Sequence, residues 1–460
     1  MAAIELGEMS AASTAHRPPA GRPRPVATRA VRRMPRWPRL GGTLAVLLAG
    51  VAAAAPVARP PAEATVPARQ GALTISAPDR IFVADPPGEA AAGDRWLAAY
   101  RLPDGAPLWR VPMPLSGPLG NSLVLGGTLV LTVDWSSVAR RETVGLDAAT
   151  GLVRWRRTAT LEGVTAAGDV LLWAAPGQTT VTDNPPGTLL AVAAADAAQR
   201  WSLPLPAGTL RSYRYERGPT GDPGEVAAAA DRSGPVRATA LVVSRPGGRV
   251  EIRDLAAAAV LRAADLPGRG PVGASLPARV AGDLLLVDDG SRTVTAYGLD
   301  RLDHRWQLTR DPGREYGPIP CGAGLCLYRR HGGVRAADPA TGRTVWTDGR
   351  WENLTRVGDR LLASRSGAVG AAPLTVLDPA TGEVRGELGA WQVVRVVAGA
   401  GRLTGVRVAP DGTAWVAELD PAAARVRVLQ PLRDVVGDCA AEPGVLICRR
   451  LDGSVGVWRI

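Results

Sequence analysis

The sequence carries one turn signature, Asp-x-x-Thr-Gly, in three segments that align without gaps. These segments are Val144–Trp155, Val334–Trp346 and Leu374–Arg385. An Asp that opens a turn accepts hydrogen bonds from backbone N–H groups two residues on, and the closing Gly adopts the left-handed conformation that starts the next strand. The signature therefore predicts a strand, a tight turn and a second strand, repeated along the chain.

Weaker copies extend this repeat over most of the chain. They lie at Leu102 with Trp109, Ala195-Asp196 with Trp201, Asp254 with Leu261, Leu299-Asp300 with Trp306, and Asp420 with Val426, which brings the count to eight. Each unit offers short apolar strands separated by Gly, Pro and Asp turns, without helical periodicity after residue 60. This organisation predicts an all-β propeller of four-stranded antiparallel blades, with eight blades expected and seven as the alternative.

The last segment of the chain predicts how the ring closes. Residues 433–460 contain two strand-like stretches but no further turn followed by a Trp strand. An incomplete last blade leaves a sheet edge unpaired. We expect a strand from about residues 71–84 to pair with that edge.

The repeat resembles the pyrroloquinoline-quinone-like (PQQ-like) β-propeller repeats, whose blades carry Leu-Asp-Ala-x-Thr-Gly-x-x-x-Trp between the third and fourth strands. The resemblance implies that the Trp packs in the seam between neighbouring blades. The residues at this place are Trp109, Trp155, Trp201, Trp306 and Trp346. Where Trp is missing, at Leu261, Gly386 and Val426, we expect weaker or differently filled seams.

Enzymes of this fold that use a quinone cofactor have a neighbouring Cys pair over the cofactor, a calcium cluster and a catalytic Asp. None of these can be matched in this sequence, so the resemblance implies the architecture without the cofactor. The sequence has no Gly-x-Ser-x-Gly motif that would present a nucleophilic serine. The two histidines beyond the N-terminal tail, His304 and His331, therefore have no candidate partner for a catalytic triad. We predict no catalytic, cofactor-binding or metal-binding residues.

The N-terminal part predicts export. Residues 40–58 carry no charge, are nearly long enough for a transmembrane helix, and follow an Arg-rich segment that favours a cytoplasmic N-terminus. We therefore expect a disordered basic tail over 1–39, a single transmembrane helix over 40–58, a linker over 59–70 and the propeller over 71–460, outside the membrane. The alternative is a signal peptide cleaved near Ala53–Ala55, which also exports the chain.

The positive charge is concentrated in the tail. Residues 1–39 hold eight Arg and two Glu, which supplies +6 of the net charge of +11. The rest of the chain is nearly balanced and has no basic-aromatic stripe, so we expect no nucleic-acid partner.

Four cysteines form two close pairs, Cys321/Cys326 and Cys439/Cys448. Their separations of 5 and 9 are odd, as for residues directly opposite in a hairpin. In an exported chain they predict two local disulfides. Zinc is the rival interpretation, but neither pair has Cys-x-x-Cys spacing.

Two insertions interrupt the repeat, one over 176–187 and one over 212–235. The second holds Tyr213, Arg214, Tyr215 and Arg217. Because Tyr and Arg concentrate binding energy at interfaces, we predict a recognition loop here, for an unidentified protein or cell-envelope component. The sequence thus favours a non-catalytic binding or scaffolding propeller tethered to the cell membrane. The alternative is an extracytoplasmic enzyme, similar to quinoprotein dehydrogenases, that uses the central funnel.

Overall fold

The computed structural model describes residues 63–86, 95–133, 141–175, 184–215, 237–267, 277–289, 292–322, 324–365, 372–397 and 401–460. The chain divides into two bodies, Met1–Arg59 and Pro60–Ile460, and every described residue belongs to the second. The predicted tail and transmembrane helix lie outside the described residues. The described residues contain no helix that could span a lipid bilayer.

The described residues form 35 strands, which fall into consecutive groups of four antiparallel neighbours. The first strand, β1 Glu63–Val66, belongs to the last group. Units 1 to 3 contain β2 Leu73–Ala77, β3 Arg80–Ala84, β4 Trp96–Arg101 and β5 Pro107–Pro112; β6 Leu119–Leu125, β7 Thr128–Val133, β8 Thr143–Asp147 and β9 Val153–Arg157; and β10 Thr160–Thr165, β11 Asp169–Ala174, β12 Gly187–Ala193 and β13 Gln199–Leu205.

Units 4 to 6 contain β14 Leu210–Tyr215, β15 Arg237–Ser244, β16 Arg249–Asp254 and β17 Val260–Asp265; β18 Ala278–Ala281, β19 Leu284–Asp288, β20 Thr293–Gly298 and β21 His304–Thr309; and β22 Glu315–Cys321, β23 Gly324–Arg329, β24 Val334–Ala337 and β25 Thr344–Asp348. Units 3 and 4 are joined into one sheet by a short parallel pairing of β10 with β15, through Val164↔Arg237 and Thr165↔Ala238.

Units 7 to 9 contain β26 Asn353–Val357, β27 Arg360–Ser364, β28 Ala372–Leu377 and β29 Val384–Val397; the later part of β29 with β30 Arg402–Val408, β31 Ala414–Asp420 and β32 Arg425–Leu432; and β33 Val435–Glu442, β34 Val445–Arg450 and β35 Val455–Arg459 with β1. The 14-residue β29 serves two units, because it pairs with β28 up to Trp391 and with β30 from Gln392 onward.

The all-β architecture of four-stranded antiparallel sheets, consistent with a β-propeller, is as expected from the sequence, but the count of eight blades is not confirmed. The described residues form nine such units. Nine apolar clusters accompany them, and each cluster draws its buried residues from two consecutive units. The ninth joins unit 9 to unit 1, with Val66 and Val457 packed against Ile81 and Val83. The core is therefore a cycle of nine seams.

The closing strand comes from the segment expected to be a linker. Strand β1 pairs antiparallel with β35, from Glu63↔Trp458 to Val66↔Val455. Residues 73–84, where we expected the closing strand, instead form β2 and β3 of unit 1. The fourth strand of unit 9 thus comes from the N-terminal side, which removes the edge that the C-terminus leaves open.

The turn signature has the geometry that its residues predict. Asp147 Oδ1 accepts the N–H groups of Ala149 at 2.8 Å and Thr150 at 2.9 Å, and Gly151 has a φ of 76°. A hydrogen bond from Arg154, together with these N–H groups, holds the pKa of Asp147 below its usual value. The carboxylate is therefore engaged in the turn.

Tryptophan from one unit docks on the turn of the next. The indole Nε1 of Trp306 donates to the carbonyl oxygen of Pro339 at 2.8 Å, and a Cβ on Gly342 would lie 2.5 Å from its ring. The other four tryptophans make the equivalent hydrogen bond across their seams, at 2.8 to 3.1 Å: Trp109 to Ala148, Trp155 to Ala194, Trp201 to Leu255 and Trp346 to Pro379. The Gly of the signature thus supplies both the left-handed turn and the space for the indole.

The units without Trp differ from the sequence assignment in two of three cases. In unit 7, Gly386 lies at the tryptophan position, as expected. In unit 4, the strand register places Arg262 there, opposite Ile252, rather than Leu261. In unit 8, the equivalent register position, opposite Glu418, holds Arg427 rather than Val426, because the β-bulge of this unit lies farther from the turn, at Val416/Ala417.

Both predicted disulfides are present, Cys321–Cys326 and Cys439–Cys448. Each lies in a hairpin between the first two strands of its unit. Cys439 and Cys448 face each other across β33 and β34, whereas Cys326 is opposite Ile319 and Cys321 is opposite Gly324. The odd sequence separation thus corresponds to directly opposed residues for Cys439 and Cys448, but to a diagonal pair for Cys321 and Cys326.

Candidate functional site

Three of the four predicted recognition residues lie on a strand. Tyr213, Arg214 and Tyr215 belong to β14, which pairs with β15 over its whole length, so the prediction of a loop was wrong for them. Arg217 lies outside the described residues. The alternation of a strand separates the three side chains, because residues i and i+2 share a face.

Arg214 lies apart from the two tyrosines. Its guanidinium forms an ion pair with Asp283 at 2.8 Å, and both side chains lie beside the first turn of unit 5. Because both are exposed, this pair contributes little to stability. Arg214 therefore does not join the tyrosines in one site.

Tyr213 is held by an ionic cluster. Its hydroxyl donates to the carboxylate of Glu162, which also receives Arg211 Nη2 at 2.6 Å and Nε at 3.2 Å. The Arg211 guanidinium lies 3.7 Å from the centre of the Trp173 ring, a cation–π contact. Burial, reinforced by the negative charge of Glu162, raises the pKa of Tyr213 well above its usual value. The phenol is therefore neutral and serves as a fixed hydrogen-bond donor.

Tyr213 and Tyr215 line a cavity of about 490 Å³ with residues from four consecutive units. The wall is formed mainly by the first strands β14, β18, β22 and β26 of units 4 to 7. The lining residues are Arg211, Ser212, Tyr213, Tyr215, Arg279, Val280, Tyr316, Ile319, Pro320, Tyr328, Glu352 and Asn353. We call this space the tyrosine cavity, because the whole chain has six tyrosines and four of them lie here.

The tyrosines form two pairs on the cavity wall. Tyr316 and Tyr328 are stacked, with ring centres 5.4 Å apart and planes 18° apart. Tyr328 is 5 % exposed and supports Tyr316, which is 44 % exposed. Tyr213 and Tyr215 are tilted by 46° with centres 6.1 Å apart. The cavity therefore offers flat aromatic surfaces whose orientation is fixed by packing.

Several polar groups of the cavity have no partner within the described part of the chain. The side chains of Arg279, Asn353, Tyr215 and Tyr316 make no hydrogen bond or ion pair there. Arg279 is exposed, and its guanidinium can only donate hydrogen bonds. The free groups are thus rich in donors, and a ligand would have to supply acceptors.

Sequence reasoning reached half of this site. Tyr213 and Tyr215 were singled out, but Tyr316, Tyr328 and Arg279 were not, because they lie 60 to 115 residues further along the chain. The scarcity of tyrosine was the available signal. Only the folded chain brings these four rings together.

A second cavity, of about 760 Å³, lies at the seam between units 4 and 5. Arg262, which occupies the tryptophan position of unit 4, lines it together with Leu261, Leu299 and Asp300. Its Nε donates to the carbonyl oxygen of Asp300 at 3.0 Å. The next turn has Leu302, with a φ of 56°, where other turns have Gly or Ala. This seam is therefore filled by a different pair of side chains.

This pairing gives a testable prediction. Arg262→Trp alone should destabilise the protein by about 1–3 kcal/mol, because the indole would meet Leu302. Adding Leu302→Gly should recover most of that loss, since it restores the arrangement of Trp306 on Gly342. Chemical denaturation of the four proteins of the double-mutant cycle should give a coupling of about 1–3 kcal/mol. Additive effects would contradict the pairing of the two positions.

Among the described residues, no group of three or more His, Cys, Asp or Glu could hold a metal ion. His304 packs edge-on against Tyr297, with ring centres 6.1 Å apart. The carboxylates of the turn signature are engaged in their turns. The tyrosine cavity itself offers aromatic faces and hydrogen-bond donors.

Antiparallel four-stranded units that repeat one Asp turn place this chain in the class of β-propeller repeat proteins. The sequence profile described as "Outer membrane protein assembly factor BamB" matches residues 93–346, more than half of the chain, and the chain belongs to this family. The resemblance to PQQ-like repeats is thereby confirmed.

Several solved structures are similar to this chain. BamB from Moraxella catarrhalis is 14% identical, with 74% of this chain and 96% of that chain covered and a TM-score of 0.37. Sqt1 from Saccharomyces cerevisiae is 10% identical, with coverage of 82% and 100% and a TM-score of 0.44. A europium-containing methanol dehydrogenase is 12% identical, with coverage of 77% and 82% and a TM-score of 0.37. No curated protein sequence matches the chain.

Proposed function

We propose that this protein is a non-catalytic binding module, a nine-bladed propeller held at the outer face of the cell membrane through residues 40–58. In this proposal the tyrosine cavity holds a segment of a partner protein of the cell envelope. One observation carries it: four of the six tyrosines, from two units that are not adjacent in sequence, line a single cavity.

The composition of the cavity supports protein recognition. Tyr and Arg are the side chains that most often dominate protein interfaces, because they combine a large contact area with hydrogen bonding. Tyr316 is the most accessible of the four rings and rests on the buried Tyr328. Such an anchor loses little conformational freedom when a partner covers it. Membership of a family described as an assembly factor is consistent with a role in holding other proteins.

The test is cross-linking from the cavity. A photo-reactive phenylalanine analogue at position 316 should cross-link a discrete partner in intact cells, whereas the same analogue at Trp415, an exposed aromatic on β31, should not. Tyr316→Ala should weaken recovery of that partner from solubilised membranes by at least about tenfold, since loss of a central Tyr anchor commonly costs 2 kcal/mol or more. Equal cross-linking from both positions would argue against the cavity as the binding site.

Export has its own test. A reporter that is active only outside the membrane, fused after residue 70, should be active, because the basic flank of residues 29–39 favours a cytoplasmic N-terminus. A reporter that requires the cytoplasm should be inactive in the same fusion. The opposite pattern of reporter activity would refute the proposed membrane topology, but it would leave the proposed binding function of the cavity unaffected.

A further inference from the structure

The free groups of the tyrosine cavity restrict the chemistry of its ligand. Arg279 only donates hydrogen bonds, Asn353 offers two donors and one acceptor, and the hydroxyls of Tyr215 and Tyr316 can donate. None of these side chains has a hydrogen-bond partner among the described residues. A ligand that buries them must satisfy these donors, since an unpaired buried polar group costs about 1–3 kcal/mol. The free groups of the cavity thus favour a ligand rich in hydrogen-bond acceptors.

The shape of the wall adds a second restriction. Tyr316 lies flat on Tyr328 in unit 6, and the tilted rings of Tyr213 and Tyr215 lie on β14 of unit 4, with Val280 of unit 5 also in the wall. Aromatic side chains offer flat apolar faces against which compact apolar rings pack. The ligand should therefore alternate apolar ring surface with exposed acceptors.

A proline-rich peptide meets both restrictions. Its polyproline II helix forms no internal hydrogen bonds, so its carbonyl groups point outward as acceptors, and proline has no backbone N–H to leave unpaired. Its rings pack against aromatic side chains, and its preformed conformation lowers the entropic cost of binding. An oligosaccharide also stacks on tyrosine, but each of its hydroxyls brings a donor as well, which among these free groups only Asn353 and the tyrosine hydroxyls could accept.

Resting on the proposed function, we propose that the tyrosine cavity binds an extended, proline-rich segment of the partner protein in the polyproline II conformation. The Tyr316 ring packs against the proline rings. Arg279 and Asn353 donate to the peptide carbonyl groups. Tyr213 positions this wall through its hydrogen bond to Glu162.

The experiment is calorimetric titration of the detergent-solubilised full-length protein with three probes: a decaproline peptide, a Gly-Ser peptide of the same length and a chitin pentasaccharide. Decaproline should bind, and the other two should not. Tyr316→Ala should lower the affinity for decaproline by at least about tenfold, and Tyr316→Phe, which keeps the ring, by less than about fivefold. Trp415→Ala, an exposed aromatic outside the cavity, should leave the affinity unchanged.

Absence of decaproline binding, preferential binding of the pentasaccharide, or equal affinity in Tyr316→Ala would overturn the inference. Failure of the inference and failure of the proposed function are distinguishable. If position 316 still cross-links a partner in cells while decaproline does not bind, a protein ligand of another chemistry occupies the cavity. If neither occurs, both proposals fail.

Discussion

Val66→Asp should lower the free energy of unfolding by about 4–7 kcal/mol, because it places a carboxylate in the seam that closes the ring. Val66 is 0 % exposed and packs with residues of units 9 and 1 in the closing cluster. The change removes about 1.5–3 kcal/mol of apolar burial and adds the cost of an unpaired buried charge, several kcal/mol in proteins. Chemical denaturation measures the loss.

The consequence should be visible in the oligomeric state as well. When β1 detaches, β35 becomes an unpaired edge strand, which can pair with the same edge of another molecule. Size-exclusion chromatography with light scattering should therefore detect dimers or larger species. Thr65→Asp is the matched control, because Thr65 is the adjacent residue on β1 but exposed, and its hydroxyl contacts the cationic Arg450 at 3.1 Å. A Thr65→Asp protein as unstable as Val66→Asp would contradict the role of the buried face.

This closure marks the boundary of what the sequence could predict. The Asp turn was predictable because its chemistry is local: Asp147 and Gly151 lie four residues apart and determine one turn. The closing strand Glu63–Val66 has no such signature. Its pairing with β35 joins residues almost 400 positions apart, and nothing in four residues of sequence specifies that partner. The turn count of eight omitted this unit for the same reason.

The seams show a finer limit. Trp109, Trp155 and the other seam tryptophans were predictable from the sequence, because each follows an Asp turn at a similar spacing. Where Trp is replaced, a spacing of eight residues after the turn Asp still identifies Arg262 and Gly386, but not the residue of unit 8, where the β-bulge lies at another place in the last strand. The assignments of Leu261 and Val426 therefore missed Arg262 and Arg427 by one residue each. Gln430, farther along the last strand of unit 8, donates through its Nε2 to the carbonyl oxygen of Arg459 in unit 9 at 3.1 Å.

The binding residues illustrate a third case. Residue type identified Tyr213 and Tyr215 as candidates for binding, and both line the tyrosine cavity. Arg214, between them in sequence, instead forms an ion pair with Asp283. Residue type predicted the capacity to bind. The alternation of the strand decided which side chains share a surface, and that depended on recognising 210–215 as a strand rather than part of an insertion.

Trp306→Ala should lower the free energy of unfolding by about 3–5 kcal/mol, as expected when a large buried aromatic side chain leaves a cavity. Trp306 is 6 % exposed, lies in the cluster between units 5 and 6, and covers Gly342. The change also leaves the carbonyl oxygen of Pro339 without the indole donor that reaches it at 2.8 Å. Trp306→Phe keeps an aromatic ring but loses this hydrogen bond and part of the ring that covers Gly342, so it should cost about 1–3 kcal/mol, less than Trp306→Ala.

The control for this seam is Trp415→Ala, which removes the same side chain from β31 where it is 36 % exposed. That change should cost about 1–2 kcal/mol, clearly less than Trp306→Ala, because more than a third of the Trp415 surface is in solvent in the folded protein. Denaturant titration of the three variants separates the alternatives. If Trp306→Ala and Trp415→Ala cost the same, the tryptophan of the repeat does not stabilise the seam, and the spacing of Trp after the Asp turn would need another explanation.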